Sequence, residues 1–354
     1  MRVLPVYASA YLKTLSYISI FFAVLLFSFG INAKTFSHKE MSDFIMSGGP
    51  PKDGIPPVDK PVYISVKRAG KEMKPSDVVF VVESDSKVRV YPRKVLVWHE
   101  IVNDEFHGKT GSVTYCPLTG SVIGFYGFIN DKFSTFGTSG KLLNSNLVMY
   151  DRETDSYWPQ VYGEAINGSQ NNNKLDNFPV VWTTWEKASK AYPNADVLSR
   201  KTGFFRNYGN DPYGSYSDEG GYYNRGKPFF PIMHEDKRLS SKTVVVGVKG
   251  VAGESAILKS LVESKKVVDF NIGKESFVAL YDNRLAAVRV YPNKSGLKLK
   301  AEGEHFSDSS GKIWSVELGV LTNNESGEKI SPAYHFDVMW FAWSAFYPER
   351  DLVR

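Results

Sequence analysis

The sequence predicts a strand-rich α+β fold of two similar β-rich subdomains with few short helices. Three observations predict it: short β-branched runs recur between turn residues, helical spacing is scarce, and one strand-like run is echoed later in the chain. The runs at 62–66, 78–82, 88–91, 112–115 and 122–126 are rich in Val, Ile, Phe and Tyr, the composition of half-buried strands. Helical spacing is confined to 92–100, 184–191, 254–263 and 336–346. The echo sets Val78-Val79-Phe80-Val81-Val82 over Val244-Val245-Val246-Gly247-Val248. Kept without gaps, it sets Asn103 over Asp269, Tyr115 over Tyr281 and Cys116 over Asp282. An internal duplication is therefore expected, with the thiol in only one copy.

Taken from the start, Arg2 and Lys13 flank an apolar run at 18–29 that ends in Gly30-Ile31-Asn32-Ala33. This is the layout of a signal peptide at 1–33, cleaved after Ala33, and it predicts a periplasmic or secreted protein. The same apolar stretch, if retained, is an anchor. Residues 34–61 form an N-terminal arm, because Gly48-Gly49-Pro50-Pro51 and Gly54-Ile55-Pro56-Pro57 break both helix and sheet. The first subdomain spans 62–206. A Gly- and Tyr-rich connecting loop follows at 207–241, and the second subdomain, closed by a C-terminal helix, spans 242–354. The tyrosines of the loop either pack onto the body or line a ligand site. In the helix at 336–346 the apolar positions fall on one face, which suits packing against a sheet.

Charge limits the partners. Loss of residues 1–33 removes Arg2 and Lys13, so the net charge falls by two from +5 to +3. That is too weak a field to favour nucleic acid or anionic membranes. No second long apolar segment follows the first, so a soluble mature chain is expected. The expected ligand is a small molecule or a cell-envelope component; cofactor and oligomeric state are unknown from sequence.

Cys116 is the single cysteine, and an exported chain cannot use a lone thiol for an internal disulfide. It is buried and inert, paired with another molecule, or chemically used. It closes an apolar run and precedes Pro117 and Gly120, a corner that can present a side chain to a cleft. A thiol nucleophile needs a base, and the nearest in sequence is His99, with Glu100, Asn103 or Asp104 to orient it. The catalytic expectation is thus Cys116 with His99, in acyl transfer or hydrolysis. Ligand contacts are expected from Glu100, Asn103, Asp104, Tyr115, Asn146 and Arg152, polar residues set in apolar strand segments and gathered into one cleft. The alternative is a non-catalytic ligand- or metal-binding module. The six histidines show no helical i, i+4 pair, so no metal residues are assigned.

The motifs Trp98-His99-Glu100-Ile101-Val102-Asn103-Asp104 and Val113-Thr114-Tyr115-Cys116-Pro117-Leu118-Thr119-Gly120-Ser121 resemble the signature of the DUF3179 family. So do Asn144-Ser145-Asn146-Leu147-Val148-Met149-Tyr150-Asp151-Arg152, Trp158-Pro159-Gln160, Asp211-Pro212-Tyr213 and Trp340-Phe341-Ala342-Trp343. The resemblance covers most of the mature chain and implies no activity, because the family is uncharacterised. Some of its members carry a second cysteine where this chain has Thr119, so Cys-x-x-Cys redox chemistry is not expected here.

Overall fold

The structure is a computed structural model and describes residues 35–354 apart from 85, 86, 107, 130 and 217. The expected signal peptide lies outside the described residues. The described residues fall within one compact unit. Among the described residues the strands make seven sheets of two to five strands, and every helix is seven residues or shorter. No described helix is long and apolar enough to cross a membrane. The fold is strand-rich α+β, as the β-branched runs predict.

The five expected runs become the strands Tyr63–Ser65, Val78–Glu83, Val88–Pro92, Lys109–Cys116 and Ser121–Tyr126. Two helical expectations are corrected. Glu254–Leu258 is a strand paired with Val244–Lys249, and its helix begins only at Lys259. Tyr334–Met339 is likewise a strand, and the helix is Trp340–Phe346. In both places a strand runs straight into a short helix, so the apolar residues of the two elements merge into one apparent helical stripe. All seven residues of Trp340–Phe346 are buried, which leaves no face for docking.

The element bounds repeat. Val78–Glu83, Val88–Pro92, Ile101–Phe106, Lys109–Cys116 and Ser121–Tyr126 recur as Val244–Lys249, Glu254–Leu258, Val267–Ile272, Glu275–Asp282 and Ala287–Pro292, each displaced by the step from Val78 to Val244. Backbone detail follows the bounds. Glu100 and Lys266 both have positive φ (57° and 68°), as do Gly120 and Ala286 (56° and 50°). Tyr115 N donates to Glu100 O as Tyr281 N donates to Lys266 O. Each set is then completed by a strand, a helix and a strand: Val181–Thr184, Trp185–Ala191 and Asp196–Leu198, or Tyr334–Met339, Trp340–Phe346 and Asp351–Val353. The first strand pairs antiparallel and the last parallel in both sets, with Asp196 opposite Arg89 and Asp351 opposite Ser255.

The two sets differ in what is inserted before that closing strand. In the first, Phe136–Leu143, Asn146–Asp151 and Tyr157–Pro159 form a sheet; in the second, five strands from Leu299 to Ile330 do. The Phe136–Leu143 and Asn146–Asp151 hairpin turns through Asn144 and Ser145, both at positive φ. All six residues of Asn146–Asp151 are buried, so neither of its faces meets solvent. That hairpin lies over Cys116 and seals it.

Candidate functional site

Cys116 ends its strand, and the turn that follows is closed by pairing with Ser121. The side chain is 1% exposed, within the largest apolar cluster. Its sulfur accepts the Leu147 amide at 3.4 Å and directs its own proton at Ser145 O, 3.9 Å away. Burial, reinforced by the nearby Glu100, pushes the thiol up to about 11. The expectation that this corner presents Cys116 to a cleft is therefore corrected: the corner is capped by the inserted hairpin.

His99 faces elsewhere. It is fully buried, with Nδ1 2.7 Å from Pro56 O and Nε2 2.7 Å from the Tyr208 hydroxyl. Both ring nitrogens are thus occupied, and no hydrogen bond joins the ring to Cys116. Burial lowers its pKa, which keeps the imidazole neutral. The ionisable neighbour of the thiol is the next residue, Glu100.

Glu100 is 8% exposed, and no ion pair or charged neighbour among the described residues offsets the burial of its carboxyl. Burial pushes it up to about 8, so it is a neutral acid at pH 7. Its positive φ is no sign of functional strain, since Lys266 shares it at the equivalent place in the fold. Lys242 completes the cluster. It is 7% exposed, its Nζ has no hydrogen-bond partner, and it stands 3.1 Å from the Tyr222 ring centroid and 5.2 Å from that of Phe341. Burial pulls the amine down to about 7. Cys116 acts electrostatically on Lys242, and Glu100 acts on Cys116. An acid, a thiol and an amine thus share one interior with no ion pair among them. A buried ionisable group without a partner costs several kcal/mol if charged; the acid and the thiol escape that cost by being largely neutral at pH 7, and the amine, at about 7, escapes it in part.

The Gly/Tyr-rich loop covers this cluster. The Tyr222 hydroxyl donates to Leu118 O at 2.7 Å, and Tyr213 lies close enough to Glu100 and Cys116 for both to raise its pKa. Tyr216 stacks on Tyr223 at 3.9 Å. Arg93 lies over both of those rings, paired with Asp211, which also accepts from Tyr223. The tyrosines pack onto the body. Beyond them is a surface hollow of about 790 Å³ lined by Phe229, Phe230, Ile232, Leu239 and Phe341. Phe229 meets the Tyr222 ring at 4.1 Å. The Phe230 backbone is held by Ser145 Oγ, and Ser145 O faces the Cys116 sulfur. One layer of side chains separates hollow from cluster.

The remaining predicted residues fall into separate groups. Asn146 belongs with Cys116: it donates to Thr119 and Gln160 and accepts from Val161 N, within the buried network behind the thiol turn. Asn103 and Arg152 meet on Asp59, the arginine through two hydrogen bonds of 2.7 and 3.0 Å. Asp104 accepts from Tyr63 and Tyr91 and pairs with Arg89 at 2.8 Å. The Tyr115 hydroxyl is 3.4 Å from that of Tyr216, beneath the loop. These side chains are satisfied by protein partners, so their polarity serves packing, and the single cleft expected from them is not formed. Lys242 had no signal in the sequence: a lysine between Ser241 and a Val run reads as a solvated strand end.

The chain is thus a strand-rich α+β protein with a sealed thiol and two unpaired ionisable groups beside it. Among the described residues no three His, Cys, Asp or Glu side chains gather as a metal ion would need. The model of DUF3179, described as a protein of unknown function, matches residues 52–350. The chain belongs to that family. No curated protein and no solved structure matches it significantly.

Proposed function

We propose that this chain is an exported envelope protein that binds a small molecule in the hollow beside Lys242, with Lys242 and Glu100 as the groups that respond to it. The observation that carries the reading is the unpaired Lys242 Nζ, buried one ring away from a cavity large enough for a ligand. A ligand with an acceptor group that displaces Tyr222 or Phe341 would give the amine the partner it lacks. Acyl transfer through Cys116 and His99 is the weaker reading. A thiol at about 11 is ionised in only about one molecule in ten thousand at pH 7, and His99 is engaged by Pro56 and Tyr208. Export rests on the charged flank, apolar core and Ala33 of the first 33 residues. The shared element bounds and positive-φ positions support an ancestral duplication, with 62–206 and 242–354 as its copies and 207–241 as the connection.

The test pairs two measurements on the mature chain. Methyl and amide spectra are recorded with a small-molecule fraction of envelope extract, and Cys116 is challenged with iodoacetamide. Shifts centred on Lys242, Phe229 and Phe341, lost in Lys242→Met, together with a thiol unreactive until unfolding, are expected. A native thiol that alkylates as fast as a free one, with no shifts at the hollow, would return the thiol enzyme to first place.

A further inference from the structure

The strand Val244–Lys249 ends in a second lysine of interest, half-buried and at the opposite end of that strand from Lys242. Lys249 lines a pocket of about 330 Å³, at the small end of ligand sites. Its Nζ donates to Val161 O at 3.1 Å and to Tyr162 O at 2.7 Å. An ammonium has three protons, and the third has no partner among the described residues. Tyr334 lines the same pocket, and its hydroxyl is buried with no hydrogen-bond partner among the described residues. The ring centroids of Tyr334 and Tyr347 lie 5.4 and 5.0 Å from Nζ, and Tyr162 stacks with Phe346 in the pocket wall. The acids at the rim are occupied: Glu254 pairs with Arg350 at 3.0 Å and Glu164 with Lys174 at 3.4 Å.

The Lys249 amine, which burial pulls down to about 7 and which a bound anion would hold charged, and the unpartnered Tyr334 hydroxyl therefore stand at a ring-lined space whose acids have basic partners. We propose that this pocket binds the carboxylate of a small molecule with a flat, apolar body. Lys249 Nζ and the Tyr334 hydroxyl each donate to one carboxylate oxygen, and the rings of Tyr162, Phe346 and Tyr347 pack the body. A dianionic phosphate fits less well, since only two free donors are present for its three oxygens. A cation finds no free acid.

The probe is phenylacetate, titrated into the full-length mature chain by calorimetry, with phenethylamine as the same body carrying the opposite charge. Saturable 1:1 binding of phenylacetate and none of phenethylamine are expected. Lys249→Met should weaken binding by at least ~10-fold, as loss of a charge-assisted hydrogen bond does. Tyr334→Phe removes an oxygen with no protein partner, so it leaves the melting temperature unchanged while weakening binding by ~5-fold, the size of one hydrogen bond. Absence of saturation up to about 10 mM, equal binding of the amine, or a Tyr334→Phe variant that binds as the wild type would overturn the proposal. Because this pocket and the hollow beside Lys242 share no lining residue, its failure leaves the other reading intact.

Discussion

Glu100 sets the electrostatics of the thiol cluster. Its carboxyl titrates at about 8 in the folded chain against a usual value of 4.5. Between those values the folded state holds a proton that the unfolded state has released, so stability falls as pH rises from 4.5 to 8. Glu100→Gln keeps the shape and removes the titration. Relative to wild type it should gain about 1.4 kcal/mol per pH unit across that window, seen as a flatter dependence of the urea midpoint on pH. Parallel curves for the two proteins would mean that Glu100 ionises freely. None of this was legible in the sequence, where Glu100 reads as an orienting partner for His99. Adjacent residues at a positive-φ bend diverge, His99 toward Pro56 and Tyr208 and Glu100 toward the thiol, and periodicity does not encode such a bend.

At the level of elements, the Gly/Tyr-rich loop is held down chiefly by Arg93, which reaches it from the helix Arg93–Leu96. Its guanidinium pairs with Asp211 and lies over the rings of Tyr216 and Tyr223. Arg93→Met strands Asp211 in a partly buried place, which should cost ~3 kcal/mol. The cost should be local: new proteolytic cuts within 207–226 and faster alkylation of Cys116, with the rest of the chain keeping its protection. Uniform destabilisation without loop cleavage would show that the loop is not a separate cover. Strand positions such as Val78–Glu83 and Ser121–Tyr126 were readable because β-branched runs bounded by turns leave few alternatives. The loop's packing was not, because the same tyrosines suit a ligand wall or a lid.

Across the whole molecule, the two repeated sets are joined by an ion pair. Arg289, on the strand Ala287–Pro292, is 1% exposed and holds Glu83, on Val78–Glu83, by hydrogen bonds of 2.6 and 2.9 Å. Despite its burial, Glu83 is kept below the usual carboxylate range by that guanidinium, by Tyr192 and by Arg284. Stability from this pair is present at neutral pH and is lost as pH falls through the lowered pKa of Glu83. Arg289→Met leaves a buried carboxylate and should cost ~3–5 kcal/mol, with both sets melting in one transition; two separate transitions in the variant would show that the sets fold independently. The gapless echo beginning at Val78 and Val244 was visible in the sequence, but the cross-connection was not. Arg289 sits in a strand whose neighbours are apolar, and only the fold brings Glu83 to it.

A neutral acid beside a sealed thiol defines the cluster at Cys116, and a carbon-13 titration of the Glu100 side-chain carboxyl in the native protein tests it directly. Its midpoint is expected near 8, and because burial alone raises it, Lys242→Met should not lower it. A midpoint near the ordinary 4.5 would mean that Glu100 is solvated or paired in solution, contradicting the buried cluster and the site built on it.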